Sequence, residues 1–293
     1  MTTPSRAPAP RTPETTDDPR ALAFARLLAV VDRLRAPDGC PWDRKQTLAS
    51  MAPHLVEEAH EAVEAIERGN TGQAAEECGD VLMVVALLCR IAEQDGAFDL
   101  ATAAHGISDK LIRRHPHVFA EVVAETAEQV VSNWEAIKKT EREEKREDAS
   151  AIAGVPVALP ALQRAHRVSG KAISAGFRWA NPEGALAKVR EEVLELEEAL
   201  VGADLSQDGL PGATTAARAR IEHELGDVLL AAAFLGRYLD IDSERATRSA
   251  VRRFESRFRS METSLDVPMK SATLERLMAA WQDAKSAEKE AAT

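Results

Sequence analysis

Apolar residues recur every three to four positions along most of the chain, which is the spacing of one face of an α-helix. No stretch alternates apolar and polar residues as a half-buried strand does, so the pattern predicts an all-α protein. The predicted helices end at strong terminators such as Gly69, Gly96 and Pro116. The ten helices predicted in this way span 21–34, 48–68, 73–94, 100–114, 128–147, 161–174, 182–201, 214–239, 243–262 and 272–290.

The helical pattern breaks once near the middle of the chain, at 148–160, where two prolines and a glycine interrupt it. A similar order of elements begins again after this segment. We therefore predict two tandem helical domains, at 20–147 and 161–293, with 148–160 as the linker. Residues 1–19 are rich in Thr, Pro and Asp and have no apolar run, so we expect a disordered tail and neither a signal peptide nor an anchor.

Charge and composition narrow the possible classes of protein. There are 37 Lys and Arg residues against 48 Asp and Glu residues, giving a formal net charge of −11. This balance argues against nucleic-acid and anionic-membrane binding, which would place positive charge against phosphates. No apolar run is long enough for a transmembrane helix. The three cysteines include no CxxC pair, which favours free thiols and a cytoplasmic location.

An acidic pattern, EExxE followed by ExxD on the next predicted helix, recurs in the same order in both halves of the chain. Its residues are Glu57, Glu58, Glu61, Glu77 and Asp80 in the first half, and Glu191, Glu192, Glu195, Glu224 and Asp227 in the second. Residues three apart share a helix face, so two such helices packed as a hairpin bring four carboxylates together. Four carboxylates repel one another unless a cation lies between them, and an all-oxygen site suits Mg²⁺, with Mn²⁺ as a substitute.

The position of these acids on the second helix of each pair distinguishes a site from an ordinary solvated face. Glu77 and Asp80 lie in line with the apolar residues Val81 and Val84, and the second half repeats this arrangement. A carboxylate on an apolar stripe is costly unless it is paired or coordinated. Because the same costly placement occurs twice, the pattern favours a metal site.

Basic and aromatic residues also recur at helical spacing in both halves. Two basic pairs have i,i+4 spacing, and each is followed by a Trp-x-x-x-Lys pattern. The residues are Lys110, Arg114, Trp134 and Lys138 in the first half, and Arg253, Arg257, Trp281 and Lys285 in the second. Surface charge is the ordinary interpretation, but Lys and Arg can orient phosphate oxygens and Trp can stack on a base.

The duplicated EExxE…ExxD pattern resembles the MazG family of nucleoside triphosphate pyrophosphohydrolases over about residues 20–290. Three flanking blocks resemble the same family, at 39–43, 113–119 and 176–179. The resemblance implies two MazG-like helical domains with bundle-like packing that is completed in a homodimer. It implies Mg²⁺-dependent hydrolysis of an NTP or dNTP to the monophosphate and pyrophosphate, which serves nucleotide-pool control or house-cleaning.

The family resemblance also implies roles for individual residues. The metal ligands would be Glu192, Glu195, Glu224 and Asp227, with Glu58, Glu61, Glu77 and Asp80 as their first-half equivalents. The repeated basic residues and tryptophans would bind substrate, with Arg253 standing where the family often has Lys. Our hypothesis is that Glu191, or Glu57 in the first half, orients or deprotonates the attacking water.

Two alternatives remain open at this point. A non-catalytic or regulatory helical dimer would use the acidic faces to bind partners. A di-iron carboxylate bundle is favoured by Glu57-x-x-His60, the i,i+3 pair of ferritin-like proteins. The second half has Leu194 where His60 would fall, which makes iron the weaker of these alternatives.

Overall fold

The computed structural model describes residues 17–120, 122–144, 148, 150–201, 203 and 215–291. Within these ranges the chain forms α-helices and two short 3₁₀ turns and no strand, which confirms the predicted all-α fold. The helices are α1 (Pro19–Arg35), α2 (Leu48–Glu67), α3 (Thr71–Gln94), α4 (Leu100–Arg114), α5 (Pro116–Phe119), α6 (Ala127–Glu144), α7 (Ala161–Ser174), α8 (Pro182–Val201), α9 (Thr215–Tyr238), α10 (Ser243–Ser264) and α11 (Leu274–Ala291).

The helix limits differ from the predicted ones by a few residues. α1 begins at Pro19, because Asp18 caps it by accepting a hydrogen bond from the Arg20 amide at 2.9 Å. The short helix α5 was not predicted. Of the tail predicted at 1–19, residues 1–16 lie outside the part of the chain that the structure describes, and Pro19 is helical.

The first half forms a compact unit around a helix hairpin. Contacts divide the chain into two units after Glu141, ahead of the linker predicted at 148–160. In the first unit α2 packs along α3, and α1 and α4 also contact α3. The core combines one or more apolar residues from each of α1, α2 and α3, namely Val31, Met51, Val84, Ala86, Leu87 and Ile91. α3 is therefore the central helix of this unit.

The second unit repeats this arrangement with smaller side chains inside. α8 packs along α9, α7 contacts α9, and α10 contacts both α7 and α9 while pairing with α11. Its buried apolar residues within helices are mostly alanines: Ala185, Ala199, Ala231, Ala233, Met261 and Ala284. The two hairpins, α2–α3 and α8–α9, thus occupy equivalent places in the two units.

Local hydrogen bonds fix the turn of the first hairpin. α2 ends before Gly69, whose φ of 70° lies in the left-handed region that suits a helix terminus without a β-carbon. Asn70 then caps α3 by accepting from the Gln73 amide at 3.2 Å. These two residues set where α3 begins, and hence which α3 residues lie beside α2.

Candidate metal centres

Each hairpin brings three carboxylates together from its two helices. In the first unit Glu58, Glu77 and Asp80 each offer an oxygen, and these oxygens lie within 4.8 Å of one another. In the second unit the same description applies to Glu192, Glu224 and Asp227. We call these groups the first and second carboxylate triplets. They occupy corresponding positions of the two EExxE…ExxD patterns.

The triplets lie in the apolar seam of each hairpin. Glu192 stands seven residues from both Ala185 and Ala199, and all three are buried. Glu77 starts a similar stripe on α3 with Val84 and Ile91. A spacing of seven keeps residues on one helix face, so the same stripe that packs the hairpin also carries Glu77 or Glu192 of the triplet.

Burial of the acids is the feature that separates these groups from ordinary surface carboxylates. Glu77, Glu192 and Glu224 expose only 8%, 7% and 9% of their surface. Ionised carboxylates in such positions are costly without a compensating partner. Three converging oxygens from Glu and Asp form a donor set that suits a hard divalent cation such as Mg²⁺.

The remaining predicted ligand of each quartet, Glu61 or Glu195, is not part of its triplet. Glu61 is exposed and lies close enough to Glu77 to interact with its charge. The Glu77 charge and burial raise the pKa of Glu61, and burial together with Asp80 raises the pKa of Glu58. Glu195 is exposed and lies outside the second triplet. Three of four predicted ligands therefore converge in each unit.

Two basic side chains of the same helices, Lys188 and Arg220, lie beside carboxylates of the second triplet. Lys188 Nζ lies 2.7 Å from a carboxylate oxygen of Glu191 and 2.7 Å from one of Glu192. These two acids raise the pKa of Lys188 well above its usual range, so the ammonium stays charged. Arg220 Nε is 3.9 Å from Glu224, at the limit of an ion pair. Lys188 was not among the residues predicted from the sequence, although its i,i+4 spacing to Glu192 indicates this contact.

The two acids predicted to act on water stay outside the triplets. Glu57 and Glu191 are both exposed. Glu191 accepts a hydrogen bond from Lys188, while Glu57 lies 3.4 Å from the His54 ring nitrogen. Each is adjacent in sequence to a triplet residue, Glu58 or Glu192, and its role in catalysis remains a prediction.

Three of the four predicted substrate-binding residues of the first unit, Arg114, Trp134 and Lys138, contact one another. The Arg114 guanidinium lies 6.0 Å and the Lys138 Nζ 4.9 Å from the centre of the Trp134 ring, within cation–π range. Arg114 also binds Glu141 through Nη2 at 2.5 Å. Lys110 is exposed on α4 and takes no part in these contacts.

The equivalent residues of the second unit are arranged similarly but not identically. The Trp281 ring packs against Phe254, with ring centres 5.2 Å apart. Arg257 forms an ion pair with Glu288, and Arg253 donates to the Ser249 hydroxyl at 2.8 Å. Lys285 is exposed. The structure therefore places Arg253 and Arg257, although one turn apart, against different partners.

Two acidic residues, Glu141 and Glu288, were missed by the sequence analysis. Each is the last residue of a repeated Trp-x-x-x-Lys-x-x-Glu pattern and lies seven residues after Trp134 or Trp281. That spacing places Trp and Glu on one helix face, so the repeat itself carried the signal. Their contacts with arginines on another helix could not be foreseen from helical spacing.

One flanking block anchors the loop that precedes the second hairpin. Trp179 packs edge-on against Phe234, with ring centres 5.5 Å apart, and its carbonyl accepts a hydrogen bond from the Tyr238 hydroxyl at 3.0 Å. Both partners lie on α9. This block therefore fixes the start of α8 relative to α9, and with it the approach of Glu192 to Glu224.

The fold and the paired centres define an all-α protein with two acidic helix hairpins in tandem. No helix in the described ranges has the length and apolar character needed to cross a membrane. The model of the MazG nucleotide pyrophosphohydrolase domain matches this chain twice, at residues 46–119 and 180–261. Together these matches cover more than half of the sequence. The chain belongs to the MazG family.

Relatives of known designation match along nearly the whole chain. A nucleoside triphosphate pyrophosphohydrolase/pyrophosphatase MazG of Thermotoga maritima is 37% identical over 267 residues, which is 90% of this chain and 96% of that protein. A nucleoside triphosphate pyrophosphohydrolase of Escherichia coli K12 is 38% identical over 90% of this chain and 97% of its own length. The crystal structure of a mazG-related protein from Thermotoga maritima matches 39% of this chain and 98% of that chain, with 29% identity and a TM-score of 0.35.

Proposed function

We propose that this protein hydrolyses nucleoside triphosphates, ribo or deoxyribo, to nucleoside monophosphate and pyrophosphate with Mg²⁺, and so controls or cleans the nucleotide pool. The observation that carries the proposal is the buried carboxylate triplet, which recurs at the same place in both hairpins of a MazG chain. The designation of the Thermotoga maritima and Escherichia coli relatives supports the same reaction.

The residues that would hold the metal are the two triplets, together with the predicted ligands Glu61 and Glu195. Glu192, Glu224 and Asp227 supply three oxygens within 4.8 Å, and water and phosphate oxygens can complete the shell. Bound Mg²⁺, or Mn²⁺ in its place, supplies Lewis-acid polarisation of phosphate oxygens. The carboxylates fix its position, because their helices are packed against each other along the hairpin.

The residues adjacent to the triplets would direct water. Glu191 in the second unit and Glu57 in the first are exposed and can accept a proton from a water molecule beside the triplet. That water forms a bond to the α-phosphorus. The bond from the α-phosphorus to the oxygen bridging the β-phosphorus breaks, and pyrophosphate leaves with the bonding electron pair.

The basic residues and tryptophans would hold the substrate. In the second unit Arg257, Arg253 and Lys285 would stabilise charge on the phosphates, and the Trp281 face would contact the base or sugar. Lys110, Arg114, Trp134 and Lys138 would do the same in the first unit. The cation–π contacts of Arg114 and Lys138 on Trp134 keep charge and ring together in one group.

We propose that the protein is a homodimer. α8 and α9 leave large apolar side chains exposed, among them Leu194 at 58%, Leu225 at 48% and Leu229 at 49%. The buried apolar residues of that unit are mostly alanines, so its own interior removes little apolar area from water. Covering the exposed leucines with a second copy would supply the missing burial.

We place the protein in the cytoplasm. Cys40, Cys78 and Cys89 are all free thiols, which suits a reducing compartment. The substrate class is also abundant there.

The direct test is release of pyrophosphate from a panel of ribo- and deoxyribonucleoside triphosphates, with and without oxidised bases, in Mg²⁺. We expect monophosphate and pyrophosphate in equal amounts, and loss of both on addition of EDTA. Release of inorganic phosphate instead, or turnover unchanged by EDTA, would refute the proposal. Iron analysis of the purified protein separates this function from di-iron chemistry.

A further inference from the structure

The last helix of each unit carries an acidic residue at the same distance from its tryptophan. Glu141 follows Trp134 on α6, and Glu288 follows Trp281 on α11, each by seven residues. Both glutamates contact an arginine on the preceding long helix, Arg114 or Arg257. Each unit therefore has an ion pair between its last helix and the preceding long helix, and this pair is duplicated together with the carboxylate triplet.

The first copy of the pair is well shielded and has defined geometry. Arg114 Nε donates to Glu141 Oε2 at 3.1 Å and Arg114 Nη2 donates to the same oxygen at 2.5 Å. The side chains of Arg114 and Glu141 are 15% and 14% exposed, so water screens them little. Arg113 binds the other oxygen of Glu141 at 2.7 Å.

The second copy retains only the central arginine. Arg257 Nε donates to Glu288 Oε2, with 24% and 36% of the two side chains exposed. The position corresponding to Arg113 is Ser256, so the second guanidinium of the first unit has no counterpart there. The two units share one contact: the Nε–H of the arginine donates to one oxygen of the glutamate.

A carboxylate on the Nε edge orients the guanidinium without using all of its donors. Arginine has five N–H donors in a planar fork, so others remain available to phosphate oxygens. If the plane of the guanidinium is already fixed, less conformational entropy is lost when it binds a phosphate. The pair also ties the Trp-bearing helix to the Arg-bearing helix, so ring and guanidinium keep a constant spacing.

We infer that Glu141 and Glu288 are positioning residues, which hold Arg114 and Arg257 in the orientation that binds the triphosphate. The inference rests on the proposed function, because it takes these arginines as phosphate-binding. It adds to that function a role for the terminal helix of each unit: the carboxylate sets how the arginine meets the substrate. An acid beside a phosphate site lowers its positive charge, so its value here lies in geometry and not in attraction.

The test uses the full chain with one unit silenced at a time. In a chain carrying D80N to silence the first triplet, the variants E288A, E288Q, R257A and E288A/R257A are compared. Affinity for α,β-methylene-ATP with Mg²⁺ is measured by calorimetry, since this probe cannot be cleaved between its α- and β-phosphorus atoms. D283A, an exposed acid on the same helix, is the matched control. The corresponding variants of the first unit, including E141A and R114A, are made in a chain that carries D227N to silence the second triplet.

We expect E288A to weaken probe binding about tenfold and E288Q, which keeps an acceptor for the guanidinium, to weaken it less than threefold. In the R257A background E288A should cause no further loss, since there is no guanidinium left to orient. Mn²⁺ affinity at the triplet, measured by electron paramagnetic resonance, should stay unchanged. The control D283A should bind like the parent.

Three results would overturn the inference. Equal loss in E288A and E288Q would mean that charge matters and orientation does not. Additive losses in E288A and R257A would mean that the two residues act separately. Unchanged probe binding in E288A with a lowered melting temperature would mean that the Arg257–Glu288 pair stabilises the fold and does not orient Arg257 for the substrate. If R257A itself binds the probe normally, the proposed substrate role of Arg257 fails instead, which is a separate outcome.

Discussion

Lys188 precedes Glu192 by one turn of α8, and its ammonium lies 2.7 Å from that carboxylate. The corresponding position before Glu58 in the first unit carries His54, which lies beside Glu57. The two triplets therefore share their acids but differ in the cation supplied by the chain. This difference predicts that they bind metal unequally.

Replacing Lys188 by Gln should strengthen metal binding at the second triplet. An ammonium near the site repels a divalent cation and occupies a ligand oxygen, so its removal should raise Mn²⁺ affinity by roughly tenfold. The measurement is Mn²⁺ titration by electron paramagnetic resonance in a D80N chain. R190Q, which removes an exposed cation from the same helix, is the matched control. Equal affinity in K188Q and the parent would show that the ammonium moves away when metal binds.

Loss of one triplet carboxylate should abolish most turnover without unfolding the protein. In a D80N chain, E192Q or D227N should lower pyrophosphate release at least about 100-fold, because a hard cation loses a charged ligand. The fold should persist, since the neutral amide relieves repulsion in the seam; circular dichroism checks this. E197Q, an exposed acid on the same helix, should keep its activity. Turnover near the parent value in both ligand variants would contradict the assignment.

The metal-free protein should lose stability as the pH rises. The pKa values of Glu58 and Glu61 are raised in the folded state by burial and by neighbouring carboxylates. A raised carboxyl pKa means that charging costs the folded state more than the unfolded state. The contribution of these two carboxyls to stability is therefore most favourable below the ordinary value of 4.5, and it is lost as the pH rises through their raised pKa values.

Thermal melts in EDTA from pH 4 upward would measure this loss. We expect E61Q to lose less stability than the parent over the same interval, and Mg²⁺ to restore much of what the parent loses. E76Q, an exposed neighbour on α3, is the control. A pH profile identical in E61Q and the parent would show that these carboxylates do not repel in the folded protein.

Glu141 should have the opposite pH dependence. Arg114 and Arg113 lower the pKa of its carboxyl from 4.5 to about 2. Its contribution to stability is therefore present above pH 4.5 and is lost as the pH falls toward 2. E141Q should be less stable than the parent at neutral pH by roughly 1.5–3 kcal/mol, the range for hydrogen bonds to charged groups.

The stability difference between E141Q and the parent should shrink on acidification. Urea unfolding at several pH values from 7 down to 2 measures it, with the exposed Glu125 changed to Gln as control. A difference that stays constant with pH would mean that the carboxylate charge contributes nothing to the pair.

A charge on the exposed face of α9 should dissociate the homodimer that we propose. Leu229 is 49% exposed, and burying a glutamate in its place against a second copy would leave an unpaired charge in the interface. L229E should raise the dimer dissociation constant at least about 30-fold, the scale of a residue central to an interface. Sedimentation velocity measures the shift. R218E, an exposed polar position on the same helix, should leave assembly unchanged, and a dimeric L229E would place the interface elsewhere.

Helical periodicity and terminators were enough to predict the long helices, and the repeated EExxE…ExxD pattern was enough to predict the duplication and the acidic hairpins. They were not enough to rank the acids within a quartet. Glu58 and Glu61 share a face by spacing, but only the depth of each position in the seam decides that Glu58 joins the triplet while Glu61 stays outside it. That depth depends on how α2 packs on α3. The Arg114–Glu141 pair was hidden for a similar reason, since it joins residues 27 apart in sequence.

The buried stripe of each hairpin both packs its two helices together and positions carboxylates of the triplet. On α8 the residues that pack the helix, Ala185 and Ala199, stand at equal intervals on either side of Glu192. Any shift of α8 along α9 by one turn would therefore move the carboxylates out of register together with the alanines. A gene segment that encodes one such hairpin therefore encodes both the packing of its helices and the convergence of its three carboxylates, and duplicating the segment duplicates both.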